Sequence, residues 1–206
     1  MNFAKNNFLI VVSAPSGGGK TTINKEILER NDNIVYSISY TTRQPRETEK
    51  DGVDYFFVDE RKFKKMVADG EFLEYAKVHN NWYGTSLSFI KSQLVKNKHV
   101  IMDIDVQGAQ EIATNSVDKI LIFLLPPNQS ILKNRLKKRG TDSYKEIELR
   151  LKNAHSEIEK VDDYDYLVIN DDLEVAVEDV EAIIRAEENS EKRYRKIRQS
   201  FYEEGE

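Results

Sequence analysis

No cysteine occurs among the 206 residues, which excludes a disulfide framework and a thiolate zinc site. Such a chain suits a reducing, cytoplasmic setting. Histidine is scarce as well: His79, His99 and His155 are the only three. They show no metal-ligand spacing and suggest no Ser-His-Asp arrangement. An excess of positive charge is also missing. The formal net charge of −5 argues against a general nucleic-acid binder, which would need a net basic face to neutralise phosphates. Any anion site must then be a local cluster of Arg and Lys in an acidic background. Long apolar runs are absent too. Phe8-Leu9-Ile10-Val11-Val12 is too short to span a bilayer, so no membrane partner is expected. It runs directly into a glycine loop with no small-residue cleavage pattern, which reads as a buried strand and not as a signal peptide. With four prolines, no Pro/Gly/Ser-rich linker and no internal repeat, the chain reads as one domain. Its surface composition is compatible with monomers and with higher assemblies.

What is present follows an α/β rhythm. Short β-branched runs, "FLIVV" (8–12), "HVIMDID" (99–105), "KILIFLL" (119–125) and "DYLVIN" (165–170), alternate with helical patterns. That alternation predicts a largely parallel sheet flanked by helices. Residues 35–90 differ, being rich in aromatics and short strands, and read as a small mixed α+β insertion. Residues 128–160 read as two helices with a turn at Arg139-Gly140-Thr141. The second helix has a capping box, Ser143 with Glu146, and an apolar stripe of Ile147, Leu151, Ala154 and Ile158. The charged tail from Glu187 onward reads as a solvated helix with a frayed end.

The stretch Ser13-Ala14-Pro15-Ser16-Gly17-Gly18-Gly19-Lys20-Thr21-Thr22 departs from the phosphate-loop pattern G-x-x-x-x-G-K-[ST] only at Ala14. Its context is the one that chemistry needs: a strand, a glycine turn, then a helix beginning near Lys20. Backbone N–H groups of the turn and the helix N-terminus converge on an anion. Gly17, Gly18 and Gly19 allow the backbone to approach phosphate oxygens. Lys20 supplies a cation for the β and γ phosphates, and the Thr21 hydroxyl can ligate Mg²⁺. A plain glycine turn would need none of this. A left-handed backbone at Ala14 would cost about 1–2 kcal/mol; otherwise alanine is the smallest replacement and is expected to be tolerated.

In "SYTTRQPRETEKDGVDYFF" (39–57), Arg43 and Arg46 flank Pro45. Two guanidiniums on a stiffened loop can clamp a phosphate, with Tyr55 and Tyr83 adding hydroxyls; a solvated polar loop is the alternative. Asp103 and Asp105 end a buried strand two residues apart and so share a face, at the sheet edge where α/β proteins bind ligands. A carboxylate there can hold Mg²⁺ through water or accept hydrogen bonds from a base. For Asp105, capping the next helix is the competing role.

"SAPSGGGKTT", "SISYTTRQPRETEKDGVDYFF", "EFLEYAKVHNNWYGTS", "IMDIDVQGAQ", "RLKKRGTDS" and "VIND" follow one another in the order and spacing of guanylate kinases. The chain resembles the bacterial members of that family from about residue 7 to 188, and alanine is known at their first loop position. The resemblance implies a phosphate-loop NTPase-type fold with a core (1–34, 91–127 and 161–206), a GMP-binding region (35–90) and a helical lid (128–160). It implies transfer of the terminal phosphoryl group of Mg²⁺-bound ATP to GMP, and to dGMP, in purine nucleotide metabolism. The donor would lie on Ala14 through Thr22 (Ala14, Pro15, Ser16, Gly17, Gly18, Gly19, Lys20, Thr21, Thr22), with Asn170 and Asp171 beside its adenine. The GMP phosphate contacts fall on Arg43, Arg46, Tyr55 and Tyr83, and the guanine contacts on Ser39, Glu74, Thr85 and Asp105. Trp82 reads as packing beside the base. Arg135, Arg139 and Arg150 would reach across the phosphates from the lid, and Thr21 and Asp103 would hold the metal. A kinase for another base would not need Glu74 and Asp105. A non-catalytic scaffold on the same fold would not need Lys20, Thr21, Arg43 and Arg46 intact.

Overall fold

The computed structural model describes residues 5–78, 80–138 and 144–194. In chain order they form β1 (Leu9–Ser13), α1 (Lys20–Arg30), β2 (Ile34–Tyr36), β3 (Tyr40–Thr41), β4 (Phe56–Phe57), α2 (Glu60–Ala68), β5 (Phe72–Val78), β6 (Asn81–Ser86) and α3 (Leu87–Val95). They continue with β7 (His99–Asp103), α4 (Val106–Ala113), β8 (Lys119–Leu125), α5 (Gln129–Lys138), α6 (Tyr144–Ile158), β9 (Tyr166–Ile169) and α7 (Leu173–Glu188). The expected α/β class is what the fold shows.

Five strands in the order β2-β7-β1-β8-β9 make the main sheet, and every pairing in it is parallel. β1 is buried at every position because helices cover both faces, which is why it reads as an unbroken apolar run. Its side chains still alternate. Ile10 and Val12 join the core beneath α1 and α7, with Ile23, Ile27, Val177 and Val180. Leu9 and Val11 join the opposite core with Ile90 of α3 and Ala109 and Ile112 of α4. The main sheet extends past the boundary expected at residue 34, since Val35 and Tyr36 pair with Val100 and Ile101.

A second sheet, β4-β3-β6-β5, carries the aromatic segment. Tyr40 stacks on Phe56 at 4.8 Å, and Phe63 of α2 stacks on Phe72 at 4.7 Å. Trp82 lies against Phe63 and Tyr75, so it packs within this sheet. α5 and α6 pair through a core of their own, Leu132, Leu136, Ile147, Leu151 and Ala154. Of the expected turn and capping box between them, Arg139, Gly140, Thr141 and Ser143 lie outside the described residues. No helix of the described residues is long and apolar enough to cross a membrane.

Up to Tyr194 the segment after α7 corrects the expectation of a solvated helix from Glu187 onward, while residues 195–206 of that tail lie outside the described residues. Arg193 is 0% exposed. Its guanidinium lies 4.2 Å from the Phe8 ring centre, donates to Glu187 Oε2 at 2.8 Å and pairs with Asp118. The Arg193 carbonyl accepts from the Asn6 N–H at 2.7 Å, tying both ends of the described chain together. Helical periodicity cannot reveal this, because the partners lie far away in sequence. Arg193→Ala leaves Glu187 without its buried cation, and a loss of about 3 kcal/mol is expected in chemical denaturation. A loss within about 0.5 kcal/mol, the range of an ordinary surface site, would refute it.

Candidate active site

The loop between β1 and α1 curls through positive φ at Gly17 (89°) and Gly19 (99°), where a side chain would be strained. At Gly19 an added Cβ would also lie 2.3 Å from Nδ2 of Asn170. That contact has a purpose, since the Asn170 amide donates to the Gly18 carbonyl at 2.7 Å and pins the loop to the end of β9. Gly19 also stands at the N-cap of α1 with no side-chain cap, so the first N–H groups of the helix remain directed at the loop's mouth. Ala14 is not in the left-handed region and is buried, so the departure from glycine carries no backbone strain. Its methyl fills the space that a Cβ at Gly18 would need, 2.5 Å away.

Two cavities meet at this loop. One, of about 330 Å³, is lined by Ala14 through Thr22 with Val78, Asp105 and Glu157. The other, of about 250 Å³, is lined by Lys20, Ser39, Tyr55, Glu74, Tyr83, Asp103 and Asp105 among others. Lys20, Val78 and Asp105 belong to both. The Lys20 ammonium donates to the Ala14 carbonyl at 2.8 Å, at the junction between them. A third hollow beside the loop is lined by Gly17, Gly19, Thr22, Arg135, Asn170 and Asp171, and Arg135 donates to the Asn170 carbonyl at 2.9 Å.

Within the second cavity Glu74 is 7% exposed on β5. Thr85, across the strand pair on β6, donates its hydroxyl to Glu74 Oε1 at 2.6 Å. Burial raises the Glu74 carboxyl to about 7; the Thr85 hydrogen bond opposes that rise, while Glu111 and Asp105 add to it. Asp105 caps α4 through the Gly108 N–H at 2.9 Å, so the competing role weighed for it is real, and it lines both cavities as well. Asp103 accepts a hydrogen bond from the Tyr36 hydroxyl.

The structure thus brings Lys20, Ser39, Tyr55, Glu74, Tyr83, Asp103 and Asp105 around one cavity, with Thr85 behind Glu74. The two arginines of the expected clamp are arranged differently. Arg43 pairs with Glu49 at 2.8 Å, and its guanidinium lies 5.4 Å from the centre of the Tyr55 ring. The Arg46 side chain is exposed, and its backbone N–H donates to Glu49 at 2.8 Å. Arg150 lies on α6, and Arg139 lies outside the described residues.

Four residues here escaped the sequence reading. Glu49 organises the arginine loop, Tyr36 orients Asp103, and Glu157 enters the phosphate-loop cavity. Gly108 is the fourth: an added Cβ would lie 3.3 Å from Glu74 Oε2 and 2.3 Å from Ile104. Gly108 alone left a trace, since a glycine inside a helix costs about 1 kcal/mol against alanine and marks a close approach.

For a metal ion, the side-chain oxygen donors lining the loop cavity are the Ser16, Thr21 and Thr22 hydroxyls and the Asp105 and Glu157 carboxylates, with Asp103 in the adjoining cavity. Hard oxygen donors suit Mg²⁺ shared with nucleotide phosphates, which needs no all-protein cage. No group of three or more His, Cys, Asp or Glu side chains placed to hold a metal ion occurs among the described residues.

A parallel sheet whose first strand runs through a glycine loop into a helix, with an anion cavity at that loop, defines a phosphate-loop nucleotide-binding protein. The family model described as guanylate kinase matches residues 6–187. Among curated relatives, the guanylate kinase of Clostridioides difficile is 46% identical over 195 residues, 95% of each chain. That of Nitrosomonas europaea is 51% identical over 179 residues, 87% of this chain and 89% of its own. The crystal structure of guanylate kinase from Anaplasma phagocytophilum aligns with a TM-score of 0.76 at 31% identity, covering 96% of this chain and 94% of that one. The chain belongs to the guanylate kinase family.

Proposed function

We propose that this chain transfers the terminal phosphoryl group of ATP to GMP across the junction of its two cavities, with the residues in the following roles. The observation that carries this reading is the shared wall: Lys20 and Asp105 face both the phosphate loop and the Glu74 cavity. ATP phosphates lie against the backbone N–H groups of the loop and the α1 N-terminus, with adenine towards Asn170 and Asp171. GMP lies in the second cavity, its guanine against Glu74, Thr85, Ser39 and Asp105. Guanine offers N1–H and an exocyclic amine along one edge, and a carboxylate accepts from both. Adenine has no hydrogen on N1 and would leave the buried Glu74 underpaired.

The acceptor is an oxygen of the GMP phosphate, already an anion, so the step needs no general base. Its rate depends on holding donor and acceptor in line and on neutralising charge, the part of Lys20 and of Arg135, Arg139 and Arg150 from the lid. Tyr55, Tyr83, Arg43 and Arg46 hold the GMP phosphate, which requires Arg43 to exchange its Glu49 partner for phosphate. Thr21 and Asp103 would hold Mg²⁺, which, when bound, neutralises charge on the ATP phosphates. The separate core of α5 and α6 allows that pair to move as a unit and exclude water from ATP.

An ADP-release assay with Mg²⁺–ATP and GMP, dGMP, AMP, CMP, UMP or dTMP tests this reading. Turnover with GMP and dGMP is expected. Preference for another base would reassign the Glu74 cavity, and no turnover with any acceptor would favour a non-catalytic scaffold.

A further inference from the structure

The mechanism above leaves one group of the phosphate site unused. Glu157, in the last turn of α6, projects into the cavity formed by Ala14 through Thr22. Its Oε2 is closed off from solvent and has no hydrogen-bond partner. An unpartnered buried carboxylate oxygen is costly, and it persists only where its surroundings compensate. Here the compensation comes from the anion-binding groups of the loop. Burial raises the Glu157 carboxyl and Asp105 adds to the rise, while the Lys20 ammonium and the Ser16 backbone N–H favour its charged form. These are the kinds of group a phosphate loop presents to a nucleotide.

We propose that Glu157 is a resident anion of the phosphate site, competing with the terminal phosphates of ATP and ADP for Lys20 and the Ser16 side of the loop. The inference rests on the loop being the ATP site. Two like charges drawn to one low-dielectric cation site repel strongly, so the carboxylate holds nucleotide affinity below what the loop alone would provide. Its consequence lies in turnover: ADP leaves a site that already contains a substitute anion. Because Glu157 sits on α6, the same contact links the lid to the occupancy of the loop.

The test is direct titration of ATP, ADP and AMP, in Mg²⁺ buffer without GMP, into wild type, Glu157→Gln and Glu157→Ala. Thermal unfolding verifies that each variant is folded. Glutamine keeps an acceptor for Ser16 without the charge, and alanine removes both. Both variants are expected to bind ADP and ATP about tenfold more tightly, with AMP, which lacks the β and γ phosphates, within about twofold. In steady state kcat and the KM for ATP are expected to fall together, as when product release slows. Unchanged ADP affinity in Glu157→Gln, or weaker binding in either variant, overturns the proposal and leaves Glu157 as a prop for the loop. Failure of wild type to bind ATP at all would instead overturn the ATP-site reading, and the proposal with it.

Discussion

Lys20→Ala is expected to lower kcat by about 10²–10³-fold, while the KM for GMP changes only a few-fold. The magnitude follows from removing one preorganised cation from a site where charge must be neutralised during transfer. The asymmetry follows from the geometry. Lys20 borders the Glu74 cavity, but the groups proposed to select guanine, Ser39, Glu74, Thr85 and Asp105, are other side chains, and the Thr85–Glu74 hydrogen bond does not involve it. The ammonium donates to the Ala14 carbonyl at 2.8 Å, and the loop's curl is set by the positive φ of Gly17 and Gly19 rather than by the Lys20 side chain. Steady-state kinetics with either substrate varied, together with calorimetric titration of GMP, give both quantities. Turnover within tenfold of wild type would remove Lys20 from the donor site.

Glu74→Gln is expected to lower kcat/KM for GMP by about 100-fold, from losing hydrogen bonds to a charged acceptor. A glutamine presents one oxygen and one NH₂ to an edge that offers two donors, so one pairing becomes a donor facing a donor. Activity with AMP rises relative to GMP for the same reason, and an unchanged GMP-over-AMP preference would exclude Glu74 as the reader. A pH signature accompanies it. Burial raises the free Glu74 carboxyl to about 7, and the proposed guanine contact requires its ionised form. In wild type the KM for GMP therefore rises as pH falls below about 7 and levels off above it; in Glu74→Gln that dependence disappears. The linked effect on folding has the opposite sense. A carboxyl raised in the folded state binds protons more tightly than the unfolded chain, so its contribution to stability is greatest at low pH and is lost as pH rises through about 7. Burial of Glu74 thus lowers stability at neutral pH.

Much of the fold was legible because its signals are local. Five apolar residues before three glycines and Lys-Thr specify a buried strand, a tight turn and a helix, whatever the rest of the chain does. The α5 and α6 pair was legible for the same reason, its apolar stripe recurring at helical spacing. The carboxylates Asp103 and Asp105 were legible from alternation at the end of a buried strand. Their divergent use was not: a capping bond from Asp105 to Gly108 and a phenol on Asp103 depend on where α4 starts and on β2 lying beside β7.

The side chains assigned to a guanine nucleotide site rest on the family resemblance, whereas the sequence by itself determined the class of fold and the phosphate loop. Each of these depends on backbone propensity, on periodicity or on a few neighbouring residues. Only the tertiary structure decided which charges meet. Glu74 with Thr85 arises from strand register, Arg193 with Asp118 and Phe8 from closure of the chain, and Glu157 with the loop from the end of α6 reaching the phosphate-loop cavity. Electrostatic energy depends on distance through a low-dielectric interior, and separation along the chain carries no information about that distance. For Glu157, a residue indistinguishable in sequence from the solvated glutamates around it, that distance is the entire difference.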